Sequence, residues 1–420
     1  MLDLKFIREN ISAVSENIKN KNESIQVESI LELDEKRRKI IQEVESLKNV
    51  RNVATKEISE LKKNKQDADD KIAAMKEVSD KIKGLDDELR IVESDIEQVV
   101  LQIPNMTGEK VPVGRSAADN EIVRTWGEPT VQAVKKNHIE IARAHDIIDF
   151  ERGGKVSGSG FAFYKGKGAK LERALINFMI DFHLDNHGYT ELLPPFLVNR
   201  SSMLGTGQLP KMAEDMYHAT EDDMFLIPTA EVPLTNFHSG EMLPAAQLPI
   251  KYCGYSPCFR REAGSYGKDV RGFLRVHQFN KVEMVNFVRP EESWTTLEKL
   301  TGEAEDIVQA LGLHYRVLRL CSGDTSFSSA MTYDIEVWSP GEENWLEVSS
   351  CSNFTDFQAR RAGIRFRPEP SSKPEFVHTL NGSGLATSRI MVALLETHLN
   401  EDGSITIPKP LVPYTGFEKI

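Results

Sequence analysis

Apolar residues recur every three or four positions along the first hundred residues of the chain. One such series covers residues 30–61 and a second covers residues 82–103, with the polar stretch 62–70 between them. A heptad pattern of this kind is typical of coiled-coil helices. We therefore predict two helices that fold back on each other as an antiparallel hairpin over residues 30–103. Pro104 ends the hairpin because proline lacks an amide donor.

After residue 109 the pattern changes to short apolar runs that alternate with amphipathic segments. Helices are predicted over residues 132–152, 170–186, 290–311 and 388–401, and strands over residues 224–227, 251–259, 277–287, 315–320, 332–338 and 345–350. The strands follow one another without the regular strand-helix alternation of a Rossmann fold. The predicted class is α+β, with an antiparallel sheet flanked by helices after the helical hairpin.

Composition changes at the same place. The first 103 residues contain no proline, one glycine and one aromatic residue, and 42 of them are charged, against 28% of the whole chain. The formal net charge of -12 argues against a protein that coats nucleic acid by bulk attraction. Lysines at positions 62, 63 and 65 nevertheless form a basic cluster at the predicted tip of the hairpin.

The chain carries no pattern of a membrane or secreted protein. Its N-terminus is charged, and no apolar run approaches the ~18 residues that span a bilayer, so we expect a cytoplasmic protein with no membrane partner. Cys253, Cys258, Cys321 and Cys351 are too sparse for a disulfide framework. No second pair of ligands completes a metal set around Cys253 and Cys258, so no structural zinc is expected.

Familiar nucleotide-binding loops are missing from the sequence. The glycine-rich segment 153–160 follows no clear strand and lacks the dinucleotide spacing, and no GxxxxGK[ST] loop occurs. A protein of this sequence that uses ATP would need another kind of pocket, for which an antiparallel sheet floor is the natural candidate.

Four segments place polar residues where a sheet core normally holds apolar ones: 228–231, 259–279, 345–350 and 381–389. Buried charges usually face each other or a charged ligand, so together these segments could supply arginines for a polyphosphate and carboxylates for magnesium or an ammonium group. Each segment alone has an ordinary explanation. An RxE sequence in a strand is commonly a cross-strand ion pair, and GSGL before a helix is commonly a tight entry turn.

The order and combination of these segments resemble a known enzyme class. Residues 187–195 resemble motif 1 of the class II aminoacyl-tRNA synthetases, residues 259–279 resemble motif 2, and the sequence GSGLATSR at 382–389 resembles motif 3. Thr229–Glu231 and the sequence KVEM at 281–284, together with the predicted hairpin, narrow the resemblance to the bacterial-type seryl-tRNA synthetases.

The resemblance implies ATP-dependent activation of L-serine to seryl-adenylate and transfer of serine to the 3′ end of tRNA(Ser), and of tRNA(Sec) as well. It implies a homodimer formed through the motif 1 region and Mg²⁺ bound with ATP. Residues 1–104 would form a tRNA-binding helical domain whose hairpin recognises the long variable arm of the tRNA. Residues 105–420 would form the catalytic domain.

Roles for individual residues follow from the same resemblance. Arg260 would bind the α-phosphate and the serine carboxylate, Arg275 the outer phosphates, and Phe279 and Arg389 the two faces of adenine. The implied catalytic residues are Arg260, Arg275 and Arg389; the implied ATP-binding residues are Arg260, Arg261, Glu262, Arg275, Phe279, Glu347, Val348, Ser349, Ser350 and Arg389. The implied serine-binding residues are Thr229, Ala230, Glu231, Arg260, Glu283 and Ser383, and the implied metal ligands are Glu347 and Ser350.

Three other interpretations of the sequence are open. The heptad pattern by itself favours a dimerising or spacer coiled coil, but such a scaffold leaves the four polar segments unexplained. A catalytically silent relative that only binds RNA would be expected to lose the motif arginines, and all three are present. A relative that charges a carrier protein would be expected to lack the long hairpin.

Overall fold

The computed structural model of the chain describes residues 1–132, 135–263 and 272–420. These residues form two compact units, which we call the helical unit and the sheet unit. The helical unit comprises Leu2–Lys19 and Glu23–Pro104, and the sheet unit comprises Met1, Asn20–Asn22 and Asn105–Ile420.

Two long helices dominate the helical unit. The helices in this part of the chain are α1 (Leu4–Glu9), α2 (Ile11–Asn20), α3 (Glu28–Lys63) and α4 (Asp69–Val100). Helices α3 and α4 pack against each other along a seam that buries Ile40 and Val44 of α3 and Val92 and Ile96 of α4. At 1.5 Å per residue, the 36 residues of α3 extend about 54 Å. The predicted hairpin is confirmed, and α4 ends four residues before Pro104.

Ion pairs connect the two helices of the hairpin on their exposed sides. Lys36 lies 2.8 Å from Glu88, and Lys81 lies 2.6 Å from Glu43. The other pairs across the hairpin are Arg37 with Glu93, Lys48 with Asp86, and Lys71 with Glu57. Within residues 1–132, by contrast, no ion pair engages the tip lysines 62, 63 and 65. Eight cations of α3 and α4 are thus paired with carboxylates, whereas the three lysines at the tip are not.

The described residues of the sheet unit contain sixteen strands, and eight of these form one mixed sheet that is the framework of the unit. The strands are β1 (Glu121–Trp126), β2 (Ile148–Asp149), β3 (Phe163–Tyr164), β4 (Thr190–Glu191), β5 (Leu197–Asn199), β6 (His218–Ala219), β7 (Met224–Leu226), β8 (Met242–Pro244), β9 (Ile250–Phe259), β10 (Gln278–Val288), β11 (Tyr315–Arg319), β12 (Met331–Ser339), β13 (Asn344–Thr355), β14 (Arg365–Arg367), β15 (Glu375–Phe376) and β16 (His378–Ala386). The large sheet has the order β1-β11-β12-β13-β16-β10-β9-β4. All its neighbours are antiparallel except β4 and β9, which confirms the predicted α+β class.

Helices cover one face of this sheet. The helices of the sheet unit are α5 (His138–Ala144), α6 (Phe150–Ser157), α7 (Lys167–His187), α8 (Arg200–Thr206), α9 (Glu231–Asn236), α10 (Ser293–Ala310), α11 (Phe357–Ala362), α12 (Thr387–Thr397) and α13 (Val412–Thr415). Leu175 of α7, Val308 of α10 and Leu394 of α12 are fully buried in one apolar core with Tyr333 and Ile335 of β12. No helix among the described residues is long and apolar enough to cross a membrane.

One predicted element was wrong, and one strand was not predicted. The helix predicted over residues 132–152 is interrupted, because α5 ends at Ala144 and β2 comes before α6. No strand was predicted at the GSGL sequence of residues 382–385, which forms part of the second half of β16, in the middle of the sheet. Its glycines permit close packing: a Cβ at Gly382 would lie 2.7 Å from Cys351 Sγ, and one at Gly384 would lie 2.4 Å from His183 Nε2.

Candidate active site

A polar cleft of about 890 Å³ opens over the middle strands of the sheet. Asp334 and Glu336 of β12 line it, whereas Tyr333 and Ile335 between them belong to the apolar core. Because successive side chains of a strand point to opposite faces, the cleft lies on the face opposite the core. Its lining includes thirteen of the fifteen predicted site residues: Thr229, Glu231, Arg260, Glu262, Arg275, Phe279, Glu283, Glu347, Val348, Ser349, Ser350, Ser383 and Arg389.

The two remaining predicted residues do not line the cleft. Ala230 is fully buried just before α9, and Arg261 is exposed. Residues 264–271, within the segment 259–279 that resembles motif 2, lie outside the described residues.

One end of the cleft holds a compact hydrogen-bonded group of polar side chains. Thr229 Oγ1 donates to Glu283 Oε2 at 3.1 Å and accepts from Lys281 Nζ at 2.8 Å. Lys281 also forms an ion pair with Glu283, two residues further along β10. The backbone N–H of Glu231 donates to the same Thr229 oxygen at 3.1 Å, so the start of α9 is fixed against β10.

Glu231 is a carboxyl group in an environment that disfavours its charge. Burial raises its pKa to about 7, and the neighbouring Glu283 contributes in the same direction. Gln358 of α11 donates to Glu231 Oε1 at 2.6 Å, which offsets part of the shift. A cationic ligand beside Glu231 would restore the ionised form, because an opposite charge lowers the pKa of a carboxyl group.

Arginines line the cleft beside this group: Arg260 Nε donates to the backbone oxygen of Pro228 at 3.4 Å, one residue before Thr229. Arg260 follows the last residue of β9, and its guanidinium carbon lies 5.2 Å from the ring centre of Phe279 on β10. Arg275 Nη1 lies 2.5 Å from Glu262 Oε2. These two arginines present donors to the cleft from the paired ends of β9 and β10, where a polyphosphate would find them both.

Arg389 joins three segments of the cleft wall. It lies in the first turn of α12, and its Nη1 donates to the backbone oxygen of Glu347 at 2.9 Å and to Oε2 of the same residue at 3.3 Å. Its Nε donates to the backbone oxygen of Leu274 at 3.3 Å. The guanidinium therefore ties β13 to the segment that leads into β10.

Oxygen donors suited to magnesium lie together on β12 and β13. Asp334 lies opposite Ser350 in the register of these strands, and Glu347 lines the same wall. Burial and the charge of Glu347 hold the pKa of Asp334 well above its usual range. Asp334 Oδ1 is buried and has no hydrogen-bond partner among the described residues. Carboxylate and hydroxyl oxygens are ligands that Mg²⁺ accepts, and an orphaned carboxylate oxygen fits a nearby cation.

Sequence reasoning missed several residues of the cleft. Lys281 lies inside the KVEM run that supported the family resemblance, so a signal for it was present. Gln358 and Asp334 lie outside the recognised motifs, and only the folded chain brings them to Glu231 and Ser350.

Both units match family models. Residues 1–107 match the seryl-tRNA synthetase N-terminal domain, and residues 215–398 match the class II core domain of the tRNA synthetases for G, H, P, S and T. The serine--tRNA ligase of Geobacter sulfurreducens is 56% identical to this chain over 417 residues, which are 99% of each protein. The chain belongs to the seryl-tRNA synthetase family. The predicted family, fold and enzyme class are thereby confirmed.

Solved structures of seryl-tRNA synthetases agree with this assignment. The seryl-tRNA synthetase from Pyrococcus horikoshii complexed with ATP has a TM-score of 0.94 and 39% identity, covering 100% of this chain and 99% of its own. The M. kandleri seryl-tRNA synthetase in complex with A. aeolicus tRNASec has a TM-score of 0.59 and 17% identity, covering 81% of this chain and 68% of its own. The second likeness concerns the fold alone.

Proposed function

We propose that this protein activates L-serine with ATP to form seryl-adenylate and transfers the seryl group to the 3′ end of tRNA(Ser). The observation that carries the proposal is a single cleft that holds both arginines and a Thr229–Glu231–Glu283 group, with Arg260 beside that group. That arrangement suits a substrate pair in which one member is a polyphosphate and the other an amino acid with a cationic end.

In the first step a serine carboxylate oxygen attacks the α-phosphorus of ATP, the bond to the bridging oxygen breaks, and pyrophosphate leaves. The reaction needs no protein nucleophile, so catalysis consists of positioning and of stabilising negative charge. Arg260 binds the α-phosphate and the serine carboxylate, and Arg275 exchanges its contact with Glu262 for the outer phosphates. Phe279 stacks on adenine, with Arg389 on the other face.

The amino-acid end of the cleft selects serine through buried polar groups. Glu231 and Glu283 bind the ammonium group of serine. Thr229 and Ser383 form hydrogen bonds with its ammonium and hydroxyl groups. A site that hydrogen-bonds a substrate hydroxyl rejects the analogue without it by ~10⁴ to 10⁵, because its own polar groups remain unpaired. Alanine is therefore excluded by binding alone, and threonine is excluded by its extra methyl group.

Glu347 and Ser350 are the proposed ligands of a magnesium ion that enters with ATP. The ion supplies positive charge to the phosphate oxygens. Asp334, which faces Ser350, would ionise once a divalent cation is bound beside it, because an opposite charge lowers the pKa that burial and Glu347 raise.

The helical unit is the proposed tRNA-binding part of the protein. The tip lysines 62, 63 and 65 are exposed and available to phosphates, whereas most other cations of the hairpin are already paired. Recognition through backbone contacts and shape needs only a moderate number of cations. A homodimer through the motif 1 region, the use of tRNA(Sec) and a cytoplasmic location stay predictions from the family resemblance.

The test is exchange of labelled pyrophosphate into ATP, measured with each of the twenty amino acids in turn. We expect exchange with serine and none above background with alanine, threonine or the others. Exchange driven by a different amino acid would contradict the assigned pocket. Absence of exchange with every amino acid, in a protein that still binds tRNA(Ser), would instead identify a silent RNA-binding relative.

A further inference from the structure

A fully buried histidine outside the recognised motifs touches the segment that carries Arg275. His138 is the first residue of α5, and its side chain is completely inaccessible to solvent. Its Nε2 accepts a hydrogen bond from the backbone N–H of Phe273 at 3.2 Å. Its Nδ1 lies 3.3 Å from Glu342 Oε1 and 3.4 Å from Glu396 Oε1.

These contacts assign the protonation of the ring. Since Nε2 accepts from a backbone N–H, it carries a lone pair, and the hydrogen of a neutral imidazole is then on Nδ1. That hydrogen lies near two carboxylate groups, although Nδ1 forms no hydrogen bond with another described residue. A cation bound to Nδ1 would require the hydrogen on Nε2, where it would oppose the N–H of Phe273. The hydrogen bond from Phe273 therefore disfavours a metal site at the three side chains of His138, Glu342 and Glu396.

Glu396 connects this histidine to the helix of Arg389. It is fully buried near the end of α12, and its carboxylate accepts from the backbone N–H of His138 at 2.8 Å and from that of Gly341 at 3.0 Å. The Ser339 hydroxyl donates to the same carboxylate. With its oxygens satisfied, Glu396 is a fixed support that holds the start of α5 against α12.

The segment from Gly272 to Arg275 is consequently held at two successive residues. His138 accepts the N–H of Phe273, and Arg389 donates to the oxygen of Leu274. Gly272 has a positive φ of 62°, and a Cβ there would lie 2.0 Å from His138 Nε2, so only glycine allows this approach. Arg275 follows directly, with its guanidinium in the cleft.

We propose that His138 is a positioning residue for ATP: it anchors the backbone at Phe273 so that Arg275 enters the cleft in the orientation that binds the outer phosphates. The inference rests on the proposed function for the identity of the substrate, but the anchor itself is a property of the free protein. His138 does not line the cleft, so it acts through Arg275.

Two substitutions distinguish the hydrogen bond between His138 and Phe273 from a role of His138 in packing alone. In His138→Gln the side-chain amide reaches the position of Nε2 and can accept from Phe273, whereas in His138→Asn it reaches only the position of Nδ1. Loss of a buried hydrogen-bond partner costs about 1 to 3 kcal/mol. We therefore expect the ATP KM of His138→Asn to rise by about 5- to 150-fold, with the serine KM within about twofold of the parent. His138→Gln should stay within about threefold of the parent for both substrates.

Amide hydrogen exchange at Phe273 gives a readout that does not depend on catalysis. It should be faster in His138→Asn than in the parent and close to the parent rate in His138→Gln. His145→Asn is the matched control, because His145 follows the same helix and bonds to the backbone of Gly403, away from the cleft. The control should change neither the ATP KM nor exchange at Phe273.

Two outcomes would contradict the proposal that His138 anchors the backbone at Phe273. One is an unchanged Phe273 exchange rate and ATP KM in His138→Asn. The other is an equal rise of both substrate KM values in the Gln and Asn variants, together with a common loss of melting temperature, which would indicate a packing role. If the parent protein lacked serine-dependent exchange, the proposed function would fail, while calorimetric ATP binding and hydrogen exchange would still decide about His138.

Discussion

The helical unit and the sheet unit use charge in opposite ways. In the hairpin, Lys36 with Glu88 and Lys81 with Glu43 are pairs at the surface, and exposed pairs of this kind contribute at most about 1 kcal/mol each. In the cleft, Glu231 and Asp334 are withdrawn from water, and the pKa of each is raised by burial. The number of charged residues in a unit therefore does not indicate which of them are functional. The environment of each charged group is the better indicator.

The helical unit contains one exception to this contrast. Asp34 of α3 is almost fully buried, and it lies 2.9 Å from Arg8 Nη1 and 3.1 Å from Arg38 Nε. A carboxylate buried between two cations is a structural connection between α1 and α3, because each guanidinium compensates the charge that burial disfavours. Burial alone does not make a group catalytic: the carboxyl groups of the cleft differ because they line a cavity that can admit a cationic ligand.

The largest expected effect comes from separating the two units. A variant in which residues 30–101 are replaced by a short flexible linker should lose aminoacylation of tRNA(Ser), since the hairpin carries the proposed tRNA contacts. Serine-dependent pyrophosphate exchange should stay close to the parent rate, because the cleft belongs to the sheet unit. Parallel assays of both activities check this. Equal loss of the two would mean that the hairpin is part of the catalytic fold.

The next effect concerns a single charge in the cleft. Arg260→Ala should lower the rate of pyrophosphate exchange by about 10² to 10³, as expected for removal of a group that stabilises transition-state charge. Steady-state exchange assays measure the change. Arg152→Ala, at an exposed arginine paired with Asp149 outside the cleft, is the comparison and should retain the parent rate. A loss of less than tenfold in Arg260→Ala would remove Arg260 from its proposed role.

A smaller effect should appear in the pH dependence of serine binding. The pKa of Glu231 is raised to about 7, so the ionised form that attracts an ammonium group increases from a minor to a major fraction between pH 6 and pH 8. The serine KM should fall by about tenfold over this interval. The raised pKa has the opposite effect on the stability of the free protein, which decreases as pH rises from about 4.5 to 7 and levels off above 7.

Glu231→Gln provides the control for this pH profile. Its serine KM should be high and nearly independent of pH between 6 and 8, because no titrating group remains at that position. A parent-like slope in Glu231→Gln would assign the titration to another group.

The smallest expected effect comes from the hairpin tip. Alanine at any one of Lys62, Lys63 or Lys65 should weaken tRNA binding by only a few-fold and reduce the slope of log affinity against log salt concentration by about 0.7. Lys81→Ala, which removes a cation already paired with Glu43, should leave the slope unchanged. Filter binding over a range of salt concentrations distinguishes the two. Equal slopes for the tip variants and Lys81→Ala would place the tRNA contacts elsewhere.

The hairpin was predictable because its pattern is local. Each seam residue repeats a spacing that neighbours in the chain already define, and α3 and α4 match the prediction closely. The motif residues of the cleft were predictable only through the family resemblance. Glu231 and Arg260, for example, are brought together by strands whose pairing the sequence does not show.

The failures of prediction have a common physical origin in contacts between distant parts of the chain. β16 was not predicted because glycines disfavour strands, yet at Gly382 and Gly384 they make room for Cys351 and His183. Gln358 carries no local signal, since its function as a partner of Glu231 arises only when α11 packs beside the cleft. His138 likewise carries no local signal, because its contact with Phe273 joins residues that are far apart in the chain.

The ion pair between Lys281 and Glu283 has a consequence for the choice among substrates. At a pH above 7, Lys281 contributes one positive charge, and Glu231 and Glu283 contribute two negative charges, so this corner has one negative charge in excess. The ammonium group of an α-amino acid neutralises that excess. An α-hydroxy acid of the same shape, such as glycerate, brings no positive charge and leaves the corner unbalanced. Under the proposed function, the lysine would therefore make this pocket favour a ligand with one positive group, which an amino acid supplies.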